Sequence, residues 1–597
     1  MIEYLVVKPH SKEEIPLICE SFAAHSLLVQ RGHDVQVEQS GSHYVLHTQE
    51  KGPQGSFFTK LEDGFVLFHG WCVGVQFEDD RRLCESIHAA VLEGRALADL
   101  FADAFGEVSV FYQRGDRLEH FQTITGTRTV YYSRQPTANA YAIANRASLC
   151  AAAFPWMQSN INTEALIDVV ACDQVIGQKS SIAKVFRLLP TEKIESRRGH
   201  LFVSDRQLLL PRIADISLGG AYDLCRDIVE RMKLGVRRLL EIGLLSAQDS
   251  IPLSGGRDSR CILAMVTSAV GKAEKIKAHT VGIDTSDEVK AARMLCDQAQ
   301  ITHSVSVPSN SQVNFLDKLA LHNFQLEGEI SARILHGNFL GNRGPVLTGH
   351  EVFRETVVDD VEADDFAASI VDRYPLDPVG ICGEKARERI RFELEERLFS
   401  FEALGVLPAQ WKLFSRLLDR GARWVGKLTE NSEPAGPYLN PFCTDAVMNA
   451  MAQIPEQFRA LDILHFTLLN ELNPEWLSVP FANQRWAEEL RNSDFSGAHV
   501  TDKIVEQGTG SPGWWNVMLQ DRERFAGILC CVIQDDAEDA FDARKLLATV
   551  SSGRHLGSRD VLSLFGVLGA ASVIRMGSFG WEKVIEEKEY LHRLAKL

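Results

Sequence analysis

Through about the first 210 residues, apolar positions fall in short runs or alternate with polar ones, and turn residues break them up. The runs GFVLFHGWCVGVQF (64–77), EVSVFYQRGDRLEHFQ (107–122), TRTVYYS (127–133) and AYAIAN (140–145) show the pattern. A period of two, bounded by turn signals, predicts strands, and the Gly115-Asp116 step between two such halves predicts a hairpin. Many strand-like runs with few helical ones predict a sheet-rich domain, a β-sandwich.

The period changes near Gly219. In LCRDIVERMKLGVRRLLEIGLL the apolar residues Leu224, Ile228, Met232, Val236, Leu239 and Leu240 recur at helical spacing, with charge on the opposite face. Strand-like and helical segments then alternate: IPL and CILAMVTSAV, KIKAHTVGID and EVKAARMLCDQAQ, then GPVLTGHEV at 344–352. Such alternation predicts a doubly wound parallel sheet, whose ligand lies off the carboxyl ends of its strands. Those ends carry Ser254–Ser259, Gly282–Asp287 and Gly349–Glu351, which should converge on one crevice. Beyond about 385 the pattern is mostly helical, with an acidic, flexible-looking stretch at 534–545.

A length of 597 residues exceeds what one core supports, so two domains are expected, 1–212 and 213–597. The 45% hydrophobic and 24% charged fractions are those of an ordinary globular chain. No apolar stretch of membrane-spanning length and no signal peptide are visible, and twelve scattered cysteines lack metal-ligand spacing, which together predict a cytoplasmic location. A formal charge of −17 argues against a general nucleic-acid binder.

The chemistry concentrates in IPLSGGRDSR, residues 251–260. An apolar strand enters Ser254-Gly255-Gly256, and a helix opens at Arg257-Asp258-Ser259. Two glycines let the backbone approach a phosphate, unpaired N–H groups point at it, and the helix dipole favours its charge. Ser254, Gly255, Gly256 and Ser259 are therefore expected to cradle pyrophosphate, with Asp258 holding Mg²⁺. No Lys follows the last Gly, so this is not a Walker loop. Arg257 either pairs with a phosphate or faces solvent.

The S-G-G-x-D-S pattern resembles the loop of ATP pyrophosphatases, which adenylate a carboxylate and release pyrophosphate. With TVGIDTSDEVKAARMLCDQAQITHSV, LTGHEVF and PYLNPFCTDAVMNAMAQIPEQFR in the same order, the chain resembles the asparagine-synthetase superfamily. FGEVSVFYQRGDRLEHFQTITGTRTVYYS and VIGQKSSIAKVFRLLPTEK resemble that family's glutamine-amidohydrolase domain. The resemblance implies an Ntn-hydrolase-like β-sandwich in front of an ATP pyrophosphatase-like domain with added helices, using ATP and Mg²⁺. The amidohydrolase nucleophile is a Cys directly after the removed Met. Here position 2 is Ile, and the first cysteine, Cys19, is internal. Without that thiol, ammonia from glutamine is not expected, and an amine already on the substrate becomes the acceptor.

Family members of that kind include β-lactam synthetases and the macrolactam synthetases of lasso peptides. SGGRDSR and the region PYLNPF…SVPFANQRW look like the lasso branch. The implied reaction closes an isopeptide ring between the N-terminal amine and an Asp or Glu side chain of a precursor peptide. A leader-binding protein and a leader peptidase are the implied partners. A β-lactam-synthetase-like or ammonia-dependent ligase and a non-catalytic nucleotide binder stand as alternatives.

By the same resemblance, adenine lies against Val281 and Gly282, and Glu351 shares the Mg²⁺ with Asp258. His350 falls where β-lactam synthetases carry a Tyr; an imidazole titrates near enough to an α-amine to take its proton. The family's late Lys has no obvious counterpart; Arg485 in SVPFANQRW is the first candidate and Lys427 in WVGKLTEN the second. Glu327, Glu329 and Arg333 read as solvated charge, and Trp514 and Trp515 as either groove lining or packing.

Overall fold

The computed structural model describes residues 2–49, 56–74, 80–102, 104–135, 139–154, 157, 160–206, 211–246, 248–271, 275–307, 312–331, 344–353, 380–505, 522–536, 540–552 and 558–594. Arg333, Trp514 and Trp515 lie outside the described residues. The fold is mixed α/β, and its N-terminal half contains two six-stranded antiparallel sheets. One runs β10 (Phe186–Arg187), β8 (Tyr131–Gln135), β9 (Ala140–Ala144), β1 (Ile2–Lys8), β3 (His43–Gln49), β2 (Gln36–Ser40). The other runs β12 (His200–Asp205), β11 (Glu192–Arg197), β7 (Arg117–Gln122), β6 (Phe105–Arg114), β5 (Gly64–Val73), β4 (Phe57–Lys60).

Successive side chains of a strand point to opposite faces, and here both faces are covered. Ile2, Tyr4 and Val6 of β1 meet Phe65, Leu67 and Phe111 of the facing sheet. Leu5 and Val7 point the other way, into a layer of helices. That is why β1 reads as nearly continuous apolar sequence. The hairpin predicted at Gly115-Asp116 forms between β6 and β7, with Arg114 opposite Arg117. The strand expected at 127–133 starts only at Tyr131, because the residues before it dock on the C-terminal half. The Ile124 N–H donates to Asp445 Oδ1 (2.7 Å) and the Thr125 hydroxyl to the Cys443 carbonyl (2.9 Å).

The N-terminal half also holds more helix than expected, notably Ile15–His25, Asp80–Leu92 and Thr163–Cys172. Ile18, Phe22 and His25 are the buried positions of the first, a helical spacing hidden among strand signals.

Helix Leu218–Glu241 is capped by Ser217 and buries Ile228, Met232, Val236 and Leu239, four of the six positions its pattern marked. It reaches the N-terminal half at Gly235, where an added Cβ would stand 2.1 Å from a ring carbon of Phe105. A parallel sheet follows in chain order: β13 (Ser250–Pro252), β14 (Lys277–Val281), β15 (Thr302–Ser306). A second, separate parallel pair, β16 (Val346–Leu347) with β17 (Tyr438–Leu439), lies near β13. Of the acidic stretch 534–545, residues 534–536 end the helix Arg522–Asp536 and residues 543–545 begin Ala543–Ser551, whose cap is Asp542.

The C-terminal helices return to the N-terminal half. Phe525, Leu529, Leu564 and Leu568 pack with Leu5, Val7 and Phe22 in one buried cluster. No helix among the described residues is long and apolar enough to cross a membrane.

Candidate active site

The loop predicted to bind phosphate joins β13 to helix Arg257–Val270. Gly256 is the N-cap of helix Arg257–Val270, with extended backbone (φ −91°) and no side-chain cap, so the first-turn N–H groups lack the usual hydroxyl or carboxylate partner. Ser254 and Ser259 brace the turn. The Ser254 N–H donates to Ser259 Oγ (3.0 Å), the two hydroxyls lie 3.0 Å apart, and the Gly256 N–H donates to Ser254 Oγ (3.2 Å). The Gly255 N–H donates to a carboxylate oxygen of Glu288, so the loop already holds an anionic oxygen at one of its amides.

Asp258 projects from the first helical turn with 36% of its side chain exposed, and buried His465 stands 3.1 Å from its Oδ1. Asp462 lies behind His465, 3.7 Å from Nδ1, and the His465 ring sits between Phe353 and Phe442. The third strand end closes on the same spot. A Cβ on Gly349 would fall 2.8 Å from both the carbonyl carbon and the Cβ of Asp258, so only glycine permits this approach.

His350 and Glu351 follow directly. His350 Nε2 lies 2.9 Å from the Tyr438 hydroxyl, and its ring meets Trp424 edge-on. Glu351 is buried and doubly engaged: Oε1 accepts from Arg416 Nη2 (2.9 Å), and Oε2 from the Phe353 N–H (3.0 Å). Arg420 Nε donates to the Glu351 carbonyl (3.1 Å), and its guanidinium lies 4.7 Å over the Trp424 ring. Arg420 belongs to a π-helical stretch, Leu417–Val425, that directly continues the helix ending at Arg416. Such stretches are rare and cluster at functional sites.

Several expected residues take other roles. Arg257 neither faces solvent nor points to the crevice. It pairs with Asp462, donates to the Arg485 carbonyl (2.8 Å) and stacks near Trp486 (5.2 Å). Buried Arg260 donates to the carbonyls of Val479 (2.7 Å) and Pro480 (2.9 Å); burial with no facing carboxylate lowers its pKa. The two arginines flanking Asp258-Ser259 therefore clamp segment 476–486 onto the loop. Arg485 itself is exposed, and the contact it makes here is through its carbonyl rather than its guanidinium. Val281 is 61% exposed at the end of β14. Gly282 is buried, and a Cβ there would meet Val289 at 2.9 Å, so its small size serves strand–helix packing.

Lys427 lies away from the loop in a buried charge cluster. Its Nζ contacts Glu327 (2.6 Å) and Glu430 (2.7 Å), and Arg146 reaches Glu3 (3.3 Å), Glu327 (3.5 Å) and Glu430 (3.5 Å). The expectation of solvated charge at Glu327 and Glu329 fails, since both are buried. The helix stops at Leu326, and Glu327 turns left-handed (φ 54°), which frees both carboxylates to point inward to different partners. Burial raises the Glu430 carboxyl to about 7 despite Lys427. The same burial acts on Glu327, but Lys427 and Arg146 outweigh it and hold that carboxyl at about 2. With Glu329, 3.8 Å from both Lys427 and Arg423, four carboxylates surround three cations, and a proton on Glu430 removes the one surplus negative charge.

Sequence reasoning did not find Glu288, His465, Arg416, Arg420 or Tyr438. Glu288 reads as an acidic first helical turn, and His465 as one polar residue in an apolar helix. Nothing local marks the other three, which arrive from more than 60 residues downstream of the loops they touch.

The described residues contain no group of three or more His, Cys, Asp or Glu placed to hold a metal ion. Mg²⁺ in nucleotide sites needs only one or two carboxylates, because phosphate oxygens and water complete its shell. Partly exposed Asp258, beside amides that accept an anionic oxygen, fits that requirement.

No family model matches the chain, and no curated protein matches it. Among solved structures it is similar to the glutamine phosphoribosylpyrophosphate amidotransferase from B. subtilis complexed with ADP and GMP. Identity is 11%, the match covers 59% of this chain and 76% of that one, and the TM-score is 0.20. A likeness of that strength carries no argument about function.

Proposed function

We propose that this protein is an ATP- and Mg²⁺-dependent amide-forming ligase, and that its substrate is a peptide on which it closes a macrolactam ring. One observation carries the reading. An open Ser-Gly-Gly loop between the parallel strand β13 and a helix takes an anionic oxygen on the Gly255 amide and sets Asp258 against the Gly349–Glu351 segment.

In the proposed reaction a substrate carboxylate oxygen attacks the α-phosphorus of ATP. The bond from that phosphorus to the β-bridging oxygen breaks, and pyrophosphate leaves. An amine nitrogen then attacks the acyl carbon, the bond to AMP breaks, and the amine gives up a proton. Bound at Asp258, Mg²⁺ would neutralise phosphate charge as it shifts to the leaving group. The loop amides and Ser259 would orient the polyphosphate, and His350, oriented by Tyr438 at Nε2, would take the amine's proton. Cys19 lies inside helix Ile15–His25, where its own amine is a peptide N–H and no base, which supports an amine supplied by the substrate. A leader-binding protein and a leader peptidase are the partners this reading predicts.

The test is ATP–pyrophosphate exchange with a leader-trimmed peptide encoded beside this gene, set against free Asp. Exchange should require the peptide and vanish in Asp258→Ala. His350→Ala should retain exchange but lose the product lighter by one water. Exchange with free Asp alone would move the reading to a small-molecule ligase. A wild-type protein that binds ATP but exchanges with neither substrate, even with its partner proteins present, would refute catalysis.

A further inference from the structure

Arg416 and Arg420 are the last helical residue and a π-helical residue four positions on, and both grip residue 351. They bring two positive charges to the corner where Glu351 supplies one negative charge. Asp258, the next carboxylate, already has His465 against it. Glu351 is held by one guanidinium, which leaves the second without a carboxylate on its side chain. Arg420 uses only Nε on the protein, on a backbone carbonyl; among the described residues its two terminal nitrogens meet no acceptor. Stacking on Trp424 fixes the plane of the guanidinium and leaves that edge unengaged. Partial burial lowers the pKa of the same arginine, and the fields of Glu351 and Asp258 offset this only in part. An excess, oriented, half-desolvated guanidinium beside a phosphate loop suits an anionic group with two adjacent oxygens.

The geometry points to an oxyanion site formed by Arg420 and Arg416, facing the Ser254–Ser259 loop, that takes the terminal phosphates of the nucleotide and the pyrophosphate leaving group. Glu351 positions this site: its side chain orients Arg416 and its carbonyl orients Arg420. The inference rests on reading the Ser254–Ser259 loop as a polyphosphate cradle, and adds a second wall to it.

The test is calorimetric binding of inorganic pyrophosphate with Mg²⁺, and separately of AMP, to the full-length protein. Variants are Arg420→Gln, Arg420→Lys, Arg416→Gln and, for the loop, Ser259→Ala. Loss of a charge-assisted phosphate contact should weaken pyrophosphate binding by about tenfold to a hundredfold in Arg420→Gln, with AMP binding changed less than about threefold. Arg420→Lys keeps the charge and a stem long enough to pack on Trp424, so it should fold and lose several-fold by giving up the fork. Equal pyrophosphate affinity in wild type, Arg420→Lys and Arg416→Gln, with loss only in Ser259→Ala, would overturn this site and leave the ligase reading intact. A wild-type protein that binds no pyrophosphate would overturn both.

Discussion

Replacing Lys427 by Met should destabilise the protein in a manner that depends on pH. The substitution leaves Glu3, Glu327 and Glu430 facing Arg146 alone in a cluster closed to water. One outcome is an unpaired buried carboxylate, which costs about 3–5 kcal/mol. The other is a proton on Glu327, whose ordinary value is 4.5. Holding that proton at pH 7 costs about 3.4 kcal/mol at 1.36 kcal/mol per unit, so the loss should be about 3–4 kcal/mol. At pH 5 the same route costs about 0.7 kcal/mol, so most of the defect should disappear on mild acidification. Glu327 accepts from the amides of Ala147 (3.1 Å) and Ser148 (2.8 Å), which open a neighbouring helix. Hydrogen exchange at these two amides, at pH 5 and pH 7, reads the local opening free energy directly. A loss below about 1 kcal/mol at pH 7, or one that does not change with pH, would refute the charge account. In the wild type the two carboxyls act in opposite directions. Glu327, depressed to about 2, stabilises the fold above its ordinary 4.5, and that contribution fades as pH falls towards 2. Glu430, raised to about 7, stabilises below 4.5, and its contribution is lost as pH rises through 7.

Two further substitutions test the crevice. Gly349→Ala would push a Cβ to 2.8 Å from Asp258, so the strand end or the loop must move. Overpacking of this kind costs about 1–3 kcal/mol, and pyrophosphate exchange should drop at least about tenfold; unchanged exchange would dissociate the Gly349–Glu351 strand end from Asp258. Glu288→Gln removes a negative charge from the Gly255 amide while keeping an acceptor there, so ATP should bind several-fold tighter by calorimetry. Weaker binding would instead make Glu288 part of the cradle.

The strand–loop–helix at 250–270 was legible because it rests on local sequence: two glycines after an apolar strand, then a helix with an acid in its first turn. The hairpin at Gly115-Asp116 was legible for the same reason. Period alone did not distinguish a helix such as Ile15–His25, embedded among strands, from irregular cover. Glu327 misled because its spacing to Glu329 was judged on helix geometry, and the helix ends one residue earlier. The two guanidiniums at Glu351 left no local trace, since a π-helical stretch has no hydrophobic period of its own and their partner lies 65 and 69 positions away. Clamping by Arg257 and Arg260 was equally hidden, because backbone carbonyls have no sequence signature.

The packing of Phe525, Leu529, Leu564 and Leu568 against Leu5, Val7 and Phe22 sets a timetable for synthesis. Helix Thr163–Cys172 leaves the ribosome early, but helix Ser558–Met576, which packs on it, is made late. Roughly 300 residues separate the end of the N-terminal half from Phe525, about 15–60 s at 5–20 residues per second. During that interval the apolar outer face of Thr163–Cys172 is exposed on a tethered nascent chain, which is the condition that recruits chaperones and favours aggregation. Release by truncation before residue 525 should therefore leave an insoluble product even though both sheets are complete, whereas slower translation should not help. The last helices are in this sense an internal lid for the helices Thr163–Cys172 and Ile15–His25, and the chain becomes competent only when that lid has closed.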